Sequence, residues 1–230
     1  MRFSQIIMEG GNVFKNELAT VDVKQADVMP TIKFLSGILG NDLTDEWLGS
    51  TGQKAVSGDI DLSMDEGQIT KDELVQQLSA WVKAHGGDPR NYVKKSGVSV
   101  HFRSPIAGNP ELGHVQVDFM FLPDVQLSKF TMRADPASKF KDSMKHIVLS
   151  SIAKHHGMKW SPTIGLISRT TDKVLTKDPD EMATMLLGAS ATRKDITSVE
   201  AILRKMAGNP EADAALADAR ETLGKQGISI

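Results

Sequence analysis

Apolar residues recur along this chain in two rhythms. One is the three-to-four spacing of a helix, the other the strict alternation of a half-buried strand. Ile32, Leu35 and Leu39 form a helical stripe with Ile38 beside it. Pro30 is read as the first turn and Gly40 as the stop, although Gly37 weakens the run. A short strand is expected at Glu46 to Leu48. Asp59-Ile60-Asp61-Leu62 alternates as a strand does. Thr70-Lys71-Asp72-Glu73 reads as a capping box. It opens a helix with Leu74, Leu78, Trp81 and Val82 on one face, ending before Gly86-Gly87. Val98, Val100 and Phe102 then alternate with Ser99, His101 and Arg103, and Val115, Val117 and Phe119 with His114, Gln116 and Asp118. These two runs are expected to pair.

Beyond them the helical rhythm dominates. A helix is expected from Pro136, with Phe140, Met144, Ile147, Val148 and Ile152 inward and Lys139, Lys141, Lys145 and Lys154 around the rest. Gly157 closes it. A small hairpin is expected within Trp160 to Leu175, and three short helices follow, opening near Asp178, Thr197 and Asn209-Pro210. At the other end, Ile6-Ile7-Met8 reads as a short strand and Gly10-Gly11 as a turn. The pattern predicts an α/β (α+β) fold: a mixed sheet flanked by helices in residues 1–128, then a mainly helical part in residues 129–230.

Composition narrows the chemistry. The 230 residues are long enough to bury a sizeable core. There are no cysteines, which excludes disulfides, thiolate metal sites and cysteine nucleophiles. No apolar run approaches the ~20 residues of a membrane span. Met1 to Glu9 lacks the apolar stretch of a signal peptide, so a cytoplasmic location is expected. The net charge of −2 hides an uneven spread. Residues 1–128 carry 11 basic and 17 acidic side chains, and residues 129–169 carry 8 and 2. The basic middle segment is either a surface for a polyanion or a solvated helix face.

The acidic half holds the candidate chemistry. Leu48-Gly49-Ser50-Thr51-Gly52-Gln53-Lys54 is a glycine-serine turn after a short apolar segment. Asp59 and Asp61, two apart in a strand, point to one face while Ile60 and Leu62 point to a core. Paired carboxylates repel unless a cation neutralises them, and hard cations such as Mg2+ take oxygen ligands. Asp118 supplies a third carboxylate on a later strand.

A Gly-Ser turn, then Asp-x-Asp, then a lone Asp on a later strand resembles the polymerase-beta-type nucleotidyltransferase superfamily, over roughly Glu46 to Phe121. The wording Gly-Ser-Thr-Gly-Gln-Lys and Ser-Gly-Asp-Ile-Asp-Leu is closer to archaeal CCA-adding enzymes and poly(A) polymerases than to the bacterial and eukaryotic CCA-adding branch. The resemblance implies that Asp59, Asp61 and Asp118 are catalytic and hold two Mg2+ ions, for which Mn2+ substitutes. It implies that Gly49 and Ser50 hold the triphosphate of an NTP, ATP or CTP first among them. Lys54 is a further nucleotide-binding candidate and Arg103 a candidate phosphate contact. The expected reaction moves a nucleoside monophosphate to an acceptor hydroxyl. An RNA 3′ end such as that of tRNA is favoured because of the basic segment. Protein nucleotidylylation, a small-molecule acceptor, and an antitoxin-like protein that binds nucleotide without turnover are the alternatives.

Three further features have plainer readings. Asp59, Asp61, Ser63 and Asp65 match calcium-loop spacing, but Met64 and Thr70 occupy the required glycine and glutamate positions. His101 and His114 fall on the polar face with Asp118, as substrate-orienting or basic groups or as solvated sheet residues. His155-His156 is read as a helix end rather than a metal pair, because neighbours on a helix diverge.

Overall fold

The computed structural model describes residues 12–15 and 18–230. The strand and turn expected at Ile6 to Gly11 lie outside them. The fold is mixed α/β, with seven α-helices and three small sheets among the described residues. It comprises two compact units, Met1–Val125 and Gln126–Ile230.

In the first unit, β1 (Val23–Lys24) leads directly into α1 (Gln25–Leu39). The helix starts five residues earlier than the proline suggested. Pro30 lies inside it, where its missing N–H leaves the Ala26 carbonyl without a helical partner. Both residues are exposed, so the lost bond falls on the solvent side. Val28, Thr31, Ile32, Leu35 and Leu39 face the core. The chain then reaches Trp47, which bridges Leu62 as an isolated antiparallel pair instead of forming the expected strand. Two backbone bonds carry that contact: Leu48 N–H to the Asp61 carbonyl at 2.9 Å, and Ser63 N–H to the Glu46 carbonyl at 2.7 Å.

The strands β2 (Val56–Ser57) and β3 (Asp59–Met64) follow, then α2 (Lys71–Ala84). Both arms of the Thr70–Glu73 capping box are present, which satisfies two donors at the start of α2. Next come β4 (Val93–Ser96), β5 (Ser99–Pro105) and β6 (His114–Phe121). The strand β4 was not evident in the sequence. Its Val93-Lys94-Lys95-Ser96 has one apolar residue and sits at the sheet edge.

The four-stranded sheet runs β3-β6-β5-β4, with β3 and β6 parallel and the other pairs antiparallel. Ile60, Leu62, Val100, Phe102, Val117 and Phe119 are fully buried and join the α1 and α2 stripes in one core. The alternation thus has its physical cause. One sheet face is sealed by two helices, so the other is free to carry polar groups.

The second unit contains α3 (Val125–Met132), α4 (Asp142–His155), a three-stranded sheet, and three helices. The sheet is β7 (Met158–Ser161), β8 (Gly165–Ser168) and β9 (Val174–Thr176). Gly165 adopts φ +97°, and a Cβ there would stand 2.2 Å from the Thr176 carbonyl oxygen, so β8 and β9 approach only because this residue has no side chain. The closing helices are α5 (Pro179–Leu187), α6 (Val199–Met206) and α7 (Ala212–Gly224).

Two expectations fail here. Pro136 does not open α4, because Asp135 folds the chain into a turn, its carboxylate accepting from Ala137 N–H at 2.9 Å. Nor is Lys145 on the outer face. It is buried, with its ammonium 2.7 Å from Asp142 one turn earlier. Trp160 Nε1–H donates to His146 Nδ1 at 3.1 Å, which leaves His146 Nε2–H to donate to Asp142. Burial would raise the Asp142 pKa, but His146 and Lys145 outweigh it and hold it below the ordinary value.

These networks set measurable stabilities. Asp142→Ala leaves the Lys145 charge buried without its carboxylate and should cost about 3–5 kcal/mol in urea unfolding. Thr70→Ala removes the capping side chain and should cost about 1 kcal/mol. An Asp142→Ala loss no larger than that of Thr70→Ala would show that Asp142 is dispensable to Lys145.

Candidate metal centre

The parallel register of β3 on β6 sets Asp61 directly opposite Asp118, and Asp59 opposite Gln116. Asp59 and Asp61 leave the strand on the same side. The three carboxylates therefore converge, each offering an oxygen within 4.8 Å of the others. Asp118 is buried, while Asp59 and Asp61 are half-buried. Burial and, after it, the Asp59 and Asp118 charges push the Asp61 carboxyl well above the usual carboxylate range. Asp59 is raised by burial, then by Asp118, then by Asp22.

Asp118 is held on both oxygens. His101 Nδ1 lies 2.7 Å from Oδ1, with His101 itself buried, and Gln116 Nε2 donates to Oδ2 at 3.2 Å. An ionised Asp118 makes His101 Nδ1–H the donor and leaves the remaining lone pairs to point elsewhere. Gln116 is fixed in turn by Val13 N–H, which donates to its Oε1 at 2.8 Å.

The Gly49 turn sits against the pair. Gly49 has φ +59°, and a Cβ on it would come within 3.3 Å of Asp61 Oδ2. The turn is tied to β3 by Thr51, whose hydroxyl accepts from Asp61 N–H at 3.1 Å. It is tied to α1 by Gln25 Nε2, which donates to the Gly52 carbonyl at 3.0 Å. Ser50 lies in this turn, half-buried, and no helix follows it. Two buried polar atoms of the same stretch, Gln53 Oε1 and Ser57 Oγ, have no hydrogen-bond partner among the described residues. An unpaired buried polar group costs about 1–3 kcal/mol, which a bound polar ligand or water would offset.

The other candidates separate from this cluster. Lys54 is exposed beyond the turn. Arg103 spends its guanidinium elsewhere: Nε donates to the Leu18 carbonyl at 3.0 Å, and the group lies over the Tyr92 ring at 5.2 Å. His114 packs edge-on to Tyr92, and burial plus the Arg103 charge lower its pKa to about 4. It is neutral at physiological pH. Asp65 caps a local turn through Gly67 N–H and is exposed.

Asp22 was missed in the sequence. It precedes β1, which pairs with β2 and so brings Asp22 beside Gly58 and into the field of Asp59. Two-residue strands leave almost no periodicity. Val21-Asp22-Val23 was the only available signal, a polar residue between two apolar ones.

The basic segment also reads differently in three dimensions. Lys129 and Lys145 are buried. Lys154 pairs with Asp218 and Lys159 with Asp172. Arg169 donates to the Met158 carbonyl at 2.9 Å. Much of the +6 balance is therefore spent inside the second unit.

No family model matches the chain, and no curated protein matches it. The site therefore has to be judged by its own chemistry. Three converging carboxylates, all oxygen donors, with the pKa values of Asp59 and Asp61 raised, fit a hard divalent cation of the Mg2+ or Mn2+ type.

The charge balance has a sign that can be checked. Folding raises the pKa of Asp59 and Asp61, so the metal-free fold gains from protonating them below the ordinary carboxylate range. It loses that gain as pH rises through the raised values. His114 acts oppositely, costing stability as pH falls from 6.5 toward 4. Asp61→Asn should therefore leave the metal-free protein at least as stable as wild type at pH 7. Mg2+ should raise the melting temperature of wild type and not of the variant. An equal Mg2+ shift in both would dissociate the cation from this cluster.

Proposed function

We propose that the chain is a metal-dependent nucleotidyltransferase, moving a nucleoside monophosphate from an NTP to an acceptor hydroxyl with release of pyrophosphate. The observation that carries this reading is the parallel β3–β6 pairing that stacks Asp61 on Asp118, with Asp59 on the same face and the Gly49 turn packed on Asp61. Together these features give a cation-binding set beside a stretch of backbone that a phosphate chain can approach closely.

Asp59, Asp61 and Asp118 would hold two divalent cations, Mg2+ or Mn2+. When bound, these supply charge neutralisation and lower the pKa of the attacking hydroxyl. The chain's own contributions are positional. His101 and Gln116 fix the Asp118 carboxylate so that its free lone pairs need no reorientation. The Ser50 hydroxyl and the N–H groups of the turn other than those of Leu48, Thr51 and Gln53, which bond within the protein, offer donors to the triphosphate tail, with the exposed Lys54 as a positive charge beyond it. Arg103 is left out of this set, since the Leu18 carbonyl and Tyr92 already occupy it.

The basic segment favours an RNA 3′ end as acceptor through those of its charges that are neither buried nor paired, others being spent within the protein. RNA transfer predicts a steep loss of rate with salt, and transfer to a small molecule a shallow one.

The test is incubation with each α-labelled NTP, Mg2+ or Mn2+, and cellular RNA, protein and small-molecule extract. Wild type should transfer label with equimolar pyrophosphate release, and the labelled band identifies the acceptor class. Asp61→Asn and Asp118→Asn should reduce transfer to background while remaining folded, whereas Asp65→Asn should retain nearly full activity. Near-full activity in either of the first two, or no pyrophosphate from wild type with any acceptor, would remove the proposal.

A further inference from the structure

Two histidines and a carboxylate meet at the other end of the chain. His155, His156 and Glu211 each offer a ligand atom within 4.8 Å of the other two. Adjacent residues on a continuing helix would diverge by about 100°. The last helical residue of α4 is His155, and His156 caps it with φ −86° and ψ 16°, its N–H still bonded to the Ile152 carbonyl at 3.2 Å. Gly157 then turns the chain with φ +69°. The two rings nevertheless lie 5.1 Å apart, at 73° to one another.

Glu211 comes from the residue just before α7, its N–H held by the Asn209 side chain at 2.9 Å. The two helices carrying the three groups are clamped together. The Ser151 hydroxyl donates to the Ala215 carbonyl at 2.7 Å and accepts from Ala219 N–H at 3.2 Å. Ala215 and Ala219 are buried and small, which lets the helices approach. Lys154, the nearest cation in sequence, is drawn off to Asp218.

We propose that His155, His156 and Glu211 form a surface site for a borderline transition-metal ion of the Zn2+ type, distinct in chemistry from the carboxylate centre. His155 Nε2 stands 3.5 Å from Glu211 Oε2. That is long for a hydrogen bond. It suits two ligands sharing one ion, since donors about 2.0–2.2 Å from a tetrahedral Zn2+ are about 3.3–3.6 Å apart. Imidazole nitrogen selects Zn2+, Ni2+ and Cu2+ over Mg2+. The site opens to solvent, leaving a fourth position for water. The C-terminal end of α4 adds its negative dipole end to the attraction.

The test uses the full chain carrying Asp59→Asn and Asp61→Asn, which silences the other cluster. Zn2+ binding is measured by calorimetry, and Co2+ by its visible spectrum. One ion per chain is expected, with a spectrum characteristic of nitrogen and oxygen ligands. Binding should disappear when His155→Ala and His156→Ala are added. Glu211→Gln should weaken it by about tenfold or more, since even losing an outer partner of a ligand costs about 10–100-fold. Circular dichroism should be unchanged throughout, as all three side chains lie at the surface. Absence of saturable Zn2+ binding, binding that survives loss of both histidines, or displacement by millimolar Mg2+ would each overturn the proposal.

Discussion

Mutual repulsion among Asp59, Asp61 and Asp118 is the constraint around which the first unit is arranged. Burial raises the cost of ionising Asp59 and Asp61, and the charges of carboxylates whose oxygens lie within 4.8 Å add to it. A sheet tolerates this only if its opposite face contributes enough to hold the strands in register. That face is sealed by α1 and α2 over Ile60, Leu62, Val117 and Phe119. A one-residue slip between β3 and β6 would turn these apolar residues outward and the aspartates inward, so core burial itself pins Asp61 opposite Asp118.

Around the cluster, the supporting contacts divide the work. His101 and Gln116 immobilise Asp118, while the Thr51 hydroxyl and the bare Cα of Gly49 accommodate Asp61. Val13 and Leu18 are drawn in through Gln116 and Arg103, so two backbone groups near the N-terminus brace the polar face. Electrostatic strain is thus met by hydrogen bonds on one side and apolar packing on the other.

What the sequence disclosed follows from how each feature is encoded. The β5 and β6 alternations, the α2 capping box and the three aspartates are local patterns, and they were legible. The shared polar face of His101 and Asp118 was legible too, whereas the buried bond between them depends on the β5–β6 register. Features that depend on distant partners were not legible. Lys145 looks solvated until Asp142 and the turn at Asp135 are placed around it. Asp22 is silent because β1 owes its existence to β2. His155 and His156 form the helix end the sequence suggested, but Glu211, which comes up beside them from the start of α7, is not visible in their local pattern. Pro30 misled because a proline on the solvent side of a helix costs less than one facing the core.

The parallel contact of β3 with β6 also bears on how the protein is made. Consecutive parallel strands cannot be joined by a tight turn, and here α2, β4 and β5 intervene in the chain. Asp59 and Asp61 therefore wait, during synthesis and during refolding, for a strand that arrives much later. Contacts of such long sequence separation form late and slowly because loop closure precedes their reward. The carboxylates are thus brought together only after β5 and β6 have something to dock against. A cation that prefers the assembled cluster therefore stabilises the state in which β3 and β6 are already paired.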